Sequence, residues 1–220
     1  MGGQNGNWGF IFQSQQNVNN FVASIKSIIS KWNLDGVDID IESYTVTPRT
    51  VANMILQMRE AIGKNKLLIV SPECVTVYQG VPDYSPDTAG QAYNYFVNVI
   101  RLADAAIDLY QPQAYNNWYD VPGGTVSYLK DVYLNWRNYK GIMDWMKPIE
   151  NFSGVAGKKL MMGVLASTSA GSAAYFYQSS VLQEFQAWLS ENKYELNGFM
   201  IWDSHWDALN GYTISNTVKN

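Results

Sequence analysis

An α/β fold built on a parallel sheet is predicted by three observations. Short apolar or alternating runs suited to strands take turns with longer stretches whose apolar residues recur at three- and four-residue spacing. Five such strands are read, each about 30 to 45 residues after the last, which is the spacing of successive βα units joined by right-handed crossovers. No charge block, Pro-rich stretch or Gly/Ser linker interrupts the 220 residues, so residues 1–220 read as one domain.

The elements follow in order. Val18, Phe21, Val22, Ile25, Ile28, Ile29 and Trp32 trace one apolar helical face. Leu34 to Ile41 then switches to strict alternation, the pattern of a strand. Thr47 before Pro48 reads as an N-cap and first helical position. Val51, Met54, Ile55, Met58 and Ile62 carry a helix that Gly63 can end. Lys66 to Val70 is a short apolar run closed by Ser71 and Pro72, as expected of a buried parallel strand. A loop with Pro82, Pro86 and Gly90 leads to a helix around Tyr93 to Ala103, and Ile107 to Gln111 is the third strand. Past Pro122, Gly123 and Gly124, helical segments fall between Tyr128 and Met146. Leu160 to Leu165 is a strand, Val181 to Leu189 a helix and Gly198 to Trp202 the last strand.

Composition bounds the function. Hydrophobic residues make up 47 % of the chain and charged residues 15 %, with 8 Trp, 15 Tyr and 8 Phe, so apolar burial is available to offset ordering entropy. A net charge of −4 with no basic run excludes an electrostatic footprint for nucleic acid. A single cysteine, Cys74, excludes an internal disulfide, and with the lone His205 it removes the usual zinc sites; no metal is expected. No apolar stretch of roughly 18 residues is present, so no membrane span is expected. The N-terminus lacks a basic region followed by an apolar one, and no signal peptide is read there.

The segment Asp-Gly-Val-Asp-Ile-Asp-Ile-Glu at 35–42 is the sharpest feature. Side chains two apart on a strand share a face, about 6.6–6.8 Å apart. Asp38, Asp40 and Glu42 therefore line one face and Val37, Ile39 and Ile41 the other. This places three acids at the C-terminal end of a parallel strand, where sheets and barrels build their active sites. A solvated sheet face would show the same alternation. A parallel strand is covered on both sides, however, and three like charges in a covered row are tolerated only by sharing protons, which raises at least one pKa towards the range of a general acid. A divalent cation is the other reading, although in-line spacing on one strand wraps an ion poorly.

These residues resemble the signature of glycoside hydrolase family 18, the chitinases and related endo-N-acetylglucosaminidases. Four further segments carry the resemblance in the same order along the chain: Gly-Gly-Gln-Asn-Gly at 2–6, Ser-Pro-Glu at 71–73, Gln-Pro-Gln-Ala-Tyr-Asn-Asn at 111–117, and Gly-Phe-Met-Ile-Trp-Asp at 198–203 with Trp206 and Asp207. The resemblance implies a (β/α)8 TIM-barrel fold that is incomplete here. About strands four to eight are encoded, and the first two to three βα units are absent. It also implies a retaining mechanism in which the sugar's own acetamide replaces the enzyme nucleophile, without a cofactor. Glu42 is then the general acid and base. Asp40 holds the acetamide and stabilises the oxazolinium charge, Asp38 shares a proton with Asp40, and Tyr115 donates its hydroxyl to the acetamide. Trp202 forms the floor beneath the sugar, while Gln113, Asn116 and Glu73 contact sugar hydroxyls. Trp8, Trp118 and Trp206 either extend the sugar path or pack loops. His205 is read as a loop hydrogen-bonder and Cys74 as a packed thiol.

The expected substrate is chitin or a chitooligosaccharide, at an extracellular location inferred from that polymer. The alternatives are an endo-β-N-acetylglucosaminidase acting on N-glycan cores, and a sugar-binding chain or fragment without catalysis. Two long exposed edges would template pairing. A homo-oligomer, a domain swap or a rearranged sheet is therefore expected to cover the absent strands.

Overall fold

A computed structural model describes residues 1–3, 5, 6, 8–117, 121–139 and 154–219. Contacts divide these residues into two units, one of 1–72 with 80–110 and one of 73–79, 111–139 and 154–219.

In the first unit a short helix α1 (Trp8–Ile11) precedes α2 (Gln15–Trp32), β1 (Gly36–Ile39), α3 (Pro48–Ile62), β2 (Leu67–Val70), α4 (Tyr95–Ala103) and β3 (Leu109–Tyr110). The strands form a parallel sheet in the order β1-β2-β3, with Gly36 opposite Leu67 and Ile69 opposite Leu109. Helix α3 packs against both α2 and α4.

Side chains cap both long helices of this unit, and the signals read from the sequence for α3 act as expected. Ser14 caps α2 by accepting from the Asn17 amide, and Asn33 ends it in the left-handed region at φ 49°. The Thr47 hydroxyl accepts from the Thr50 amide, Pro48 sits in the first turn of α3, and Gly63 closes that helix at φ 79°. Thr47→Ala is expected to lower the unfolding free energy by about 1 kcal/mol, read as an earlier urea midpoint.

The apolar stripe of α2 is narrower than expected. Val18, Val22, Ile25 and Ile29 are buried, but Ile28 and Trp32 are 41 % and 66 % exposed. The 3.6-residue period puts Ile28 at the margin of the stripe. Trp32 lies in the last turn, where Lys31 sits 5.3 Å over its ring.

Arg59 ties the far end of this sheet together. Its guanidinium donates to the carbonyls of Gly63, Lys66 and Ala106 and pairs with Asp108, whose carboxylate also accepts from the Leu68 amide. Those groups lie at the N-terminal ends of β2 and β3.

The second unit holds α5 (Val126–Arg137), β4 (Met162–Leu165), α6 (Ser179–Glu191), β5 (Phe199–Trp202), α7 (Ser204–Leu209) and α8 (Thr213–Val218). Strands β4 and β5 pair in parallel, and isolated parallel bridges join Glu73 to Gln113 and Gln113 to Gly163. Its core is aromatic. Tyr133 meets Phe185, Trp188 and Tyr194 with ring centroids 5.4–6.2 Å apart, and Phe185 stacks on Trp188.

All five expected strands are present, one to four residues shorter than read, and every pairing is parallel. The strands pair as three and two. The helix expected after Tyr128 runs to Arg137, and the remainder of that expectation, to Met146, falls mostly outside the described residues.

Candidate active site

The acid row is built by β1 and the residues just past it. Val37, Ile39 and Ile41 are buried on one face, while Asp38, Asp40 and Glu42 are half-buried on the other. The row is therefore neither fully wet nor sealed, so its charges are costly but still reachable.

Each acid is held differently. Ser71, the residue following β2, donates its hydroxyl to Asp38 Oδ1 at 2.8 Å. The parallel register that sets Ile39 opposite Val70, together with the Ser71 amide bonding to the Ile39 carbonyl at 3.0 Å, brings Ser71 to that position. Asp40 is fixed through its backbone. Its amide donates to Met1 O at 2.8 Å, and its carbonyl accepts from the Gly3 amide at 3.0 Å and from Trp8 Nε1 at 2.9 Å. Gly2 makes this approach feasible. At φ +116° a Cβ there would lie 1.9 Å from the Asp40 carbonyl oxygen, so no larger residue fits.

The electrostatic consequence falls on Asp40. Burial first, then the negative charges of Glu42 and Asp38, push its pKa from 3.8 to about 7, with the N-terminal ammonium working the other way. A side-chain hydrogen bond to Glu42 adds to the rise, because neutral Asp40 is the donor in it. Asp40 thus keeps its proton to about neutral pH and points it at Glu42.

The second unit places the remaining expected site residues. Tyr115 is 4 % exposed and Gln113 6 %, whereas Asn116 is exposed and adopts φ 56°. Glu73 is half-buried beside Gln113 across their backbone bridge. Trp202 ends β5 opposite Leu165 and is 45 % exposed, an open indole at a strand terminus. Asp203 follows it through a cis peptide and caps α7 by accepting from the Trp206 amide at 3.1 Å. The first unit thus brings together the three acids, and the second gathers Glu73, Gln113, Tyr115 and Asn116 along one bridge-linked stretch.

Of the flanking aromatics, Trp8 is 3 % exposed and packs against Phe12 and Phe21. It packs a loop and steadies Asp40. Trp206 is half-buried edge-on to His205, and Cys74 is fully buried beside Tyr128. Trp118 lies outside the described residues, as do Gln4 and Asn7 of the N-terminal segment. Among the described residues no three His, Cys, Asp or Glu side chains group to hold a metal ion. Two contacts escaped the sequence. Ser71 was visible as part of a motif, yet its bond to Asp38 follows only from register. The Trp8 indole finds its acceptor 32 residues away.

Three comparisons place the chain among known proteins. The model of the family "Glycosyl hydrolases family 18" matches residues 1–183. A protein of Arthroderma benhamiae named "Probable class II chitinase" is 30 % identical over 151 residues, covering 61 % of this chain and 43 % of the relative. A chitinase of Enterococcus faecalis is 23 % identical over 212 residues, covering 89 % and 57 %. The chain thus spans only about half the length of these relatives. The crystal structure of a family GH18 chitinase from Chromobacterium violaceum superposes with a TM-score of 0.76 at 22 % identity, covering 94 % of this chain and 60 % of that one. This likeness carries the fold, which is of the TIM-barrel type. With a family match across most of its length, the chain belongs to glycosyl hydrolase family 18.

Proposed function

We propose that the chain supplies the catalytic residues of a hydrolase for β-1,4-linked N-acetylglucosamine polymers, working by a retaining, substrate-assisted mechanism. The observation that supports this most directly is the half-buried acid row, in which Asp40 keeps a proton to about pH 7 and hydrogen-bonds with Glu42. Such a pair can deliver a proton at neutral pH to a poor alkoxide leaving group.

In the first step Glu42 protonates the glycosidic oxygen as the bond to the anomeric carbon breaks. The acetamide oxygen of the same sugar attacks that carbon from the opposite face and forms an oxazolinium ion. Glu42, now a carboxylate, takes a proton from water, which adds to the anomeric carbon and reopens the ring with net retention. Asp40 holds the acetamide N–H and offsets the positive charge, while Asp38, held by Ser71, backs Asp40 from the same face. The family pattern gives Tyr115 the acetamide oxygen, Trp202 the sugar face, and Gln113, Asn116 and Glu73 the hydroxyls.

The same pattern assigns β1 to β5 to strands four to eight of the barrel, with residues 1–220 belonging to one catalytic domain. Chitin is preferred over N-glycan cores because the named relatives are chitinases. A polymer of that kind implies an extracellular setting, and no described helix is long and apolar enough to cross a membrane.

The mechanism is tested by proton NMR of the first products from chitotetraose. The β-anomer is expected to appear before mutarotation, with no cleavage of a β-1,4-glucose oligomer, which lacks the acetamide. An α-anomer first, or equal cleavage of both oligomers, would overturn it.

A further inference from the structure

We propose that Tyr177 and Tyr128 are positioning residues for Tyr115, their hydroxyls pinning the backbone on either side of it. The inference rests on the role given above to Tyr115. The stretch after Gln113 leaves regular structure, so its carbonyls need donors from elsewhere. Two of those donors come from separate parts of the chain. The Tyr177 hydroxyl, just before α6, donates to Ala114 O at 2.5 Å, and the Tyr128 hydroxyl, in α5, donates to Asn117 O at 2.8 Å. Between them the Asn117 side chain donates to Tyr115 O at 2.8 Å, and the Ala114 amide bonds to Gly163 O of β4 at 3.0 Å.

Asn116 completes the clamp. It turns the chain through the left-handed region, and its Oδ1 accepts from the Ser172 amide at 2.8 Å. Gly171 admits that side chain, since a Cβ there would stand 3.0 Å from Asn116 Oδ1 and 2.9 Å from Leu165 Cδ2.

Tyr128 and Tyr177 are both fully buried, and a phenylalanine ring would fill the same space. What tyrosine adds at each place is a hydroxyl, and both hydroxyls end on carbonyls that flank Tyr115. Burial, with Cys74 close by, raises both phenols well above their ordinary range, so they remain donors at any working pH. A residue that must meet an acetamide within hydrogen-bond reach gains from such a frame, because small misplacements are costly to turnover.

The test uses Tyr177→Phe and Tyr128→Phe, alone and combined with Tyr115→Phe, on a fluorogenic chitooligosaccharide. Each single variant is expected to lower kcat about tenfold with KM changed by less than about twofold. That loss is expected to vanish in the Tyr115→Phe background, where no hydroxyl is left to misplace. Hydrogen exchange of the 114–117 amides is expected to speed up in both single variants. Equal losses with and without the Tyr115 hydroxyl, or unchanged kcat, would overturn the inference. So would unchanged exchange, a readout that stands whether or not chitin is the substrate. Failure of the functional reading is distinct, because it would appear as turnover that survives loss of the Glu42 carboxyl.

Discussion

Glu42→Gln is expected to cut turnover of a fluorogenic chitooligosaccharide by about a hundredfold to ten-thousandfold, with little change in melting temperature. The amide keeps the size of the carboxyl and its capacity to hydrogen-bond with Asp40. It cannot give up a proton to the leaving oxygen or recover one from water, so both halves of the proposed reaction lose their agent. The parent's kcat/KM is expected to fall as the pH rises through about 7, where Asp40 loses the proton it directs at Glu42. In Glu42→Gln that limb should disappear with the activity. Undiminished turnover in the variant would remove Glu42 from the acid–base role.

Asp40→Asn is expected to lower kcat by about a hundredfold to a thousandfold, because the group proposed to offset the oxazolinium charge can no longer carry one. Its effect on stability should run the opposite way. The folded chain holds the Asp40 proton to about pH 7, whereas the unfolded chain releases it near 3.8. Between those values the folded state binds more protons than the unfolded one, so this group's contribution to stability declines as the pH rises through the window. Asparagine has no charge to desolvate and none to set against Asp38 and Glu42. The variant should therefore melt above the parent at pH 8, by about 2–4 °C for each kcal/mol of strain relieved, and the gap should close towards pH 4. A gap independent of pH would show that Asp40 carries no raised pKa in the folded chain.

The acid row was legible in the sequence because alternation on a strand is a local code. Asp38, Asp40 and Glu42 fall on one face whatever else the chain does, and burial of Val37, Ile39 and Ile41 on the other follows from the same period. The frame of α3 was equally local, with Thr47, Pro48 and Gly63 each acting within a turn of its own position. Contacts that depend on register or on long reach were not legible. The bond from Ser71 to Asp38 spans 33 residues and needs β1 and β2 aligned in parallel. The indole of Trp8 could have faced a sugar or a loop, and only its fold against Asp40 O decides between them. For Ile28 and Trp32, helical period alone cannot say where the covering surface stops. The anchoring bonds of Tyr128 and Tyr177 were not legible either, since nothing in a sequence shows where a hydroxyl ends.

The Arg59 staple gives the first unit a division of labour along its strands. Four backbone and side-chain acceptors around one guanidinium hold the N-terminal ends of β2 and β3, while the acid row lies at and just past the C-terminal end of β1. Folding and reactivity are therefore exposed to different mutations. A library randomised at 38, 40 and 42 should return mostly soluble, folded chains sorted by what they can cleave or bind. The same randomisation at 59 and 108 should return few folded chains. Such separation leaves the acid end of the sheet free to change its chemistry without renegotiating the scaffold that presents it.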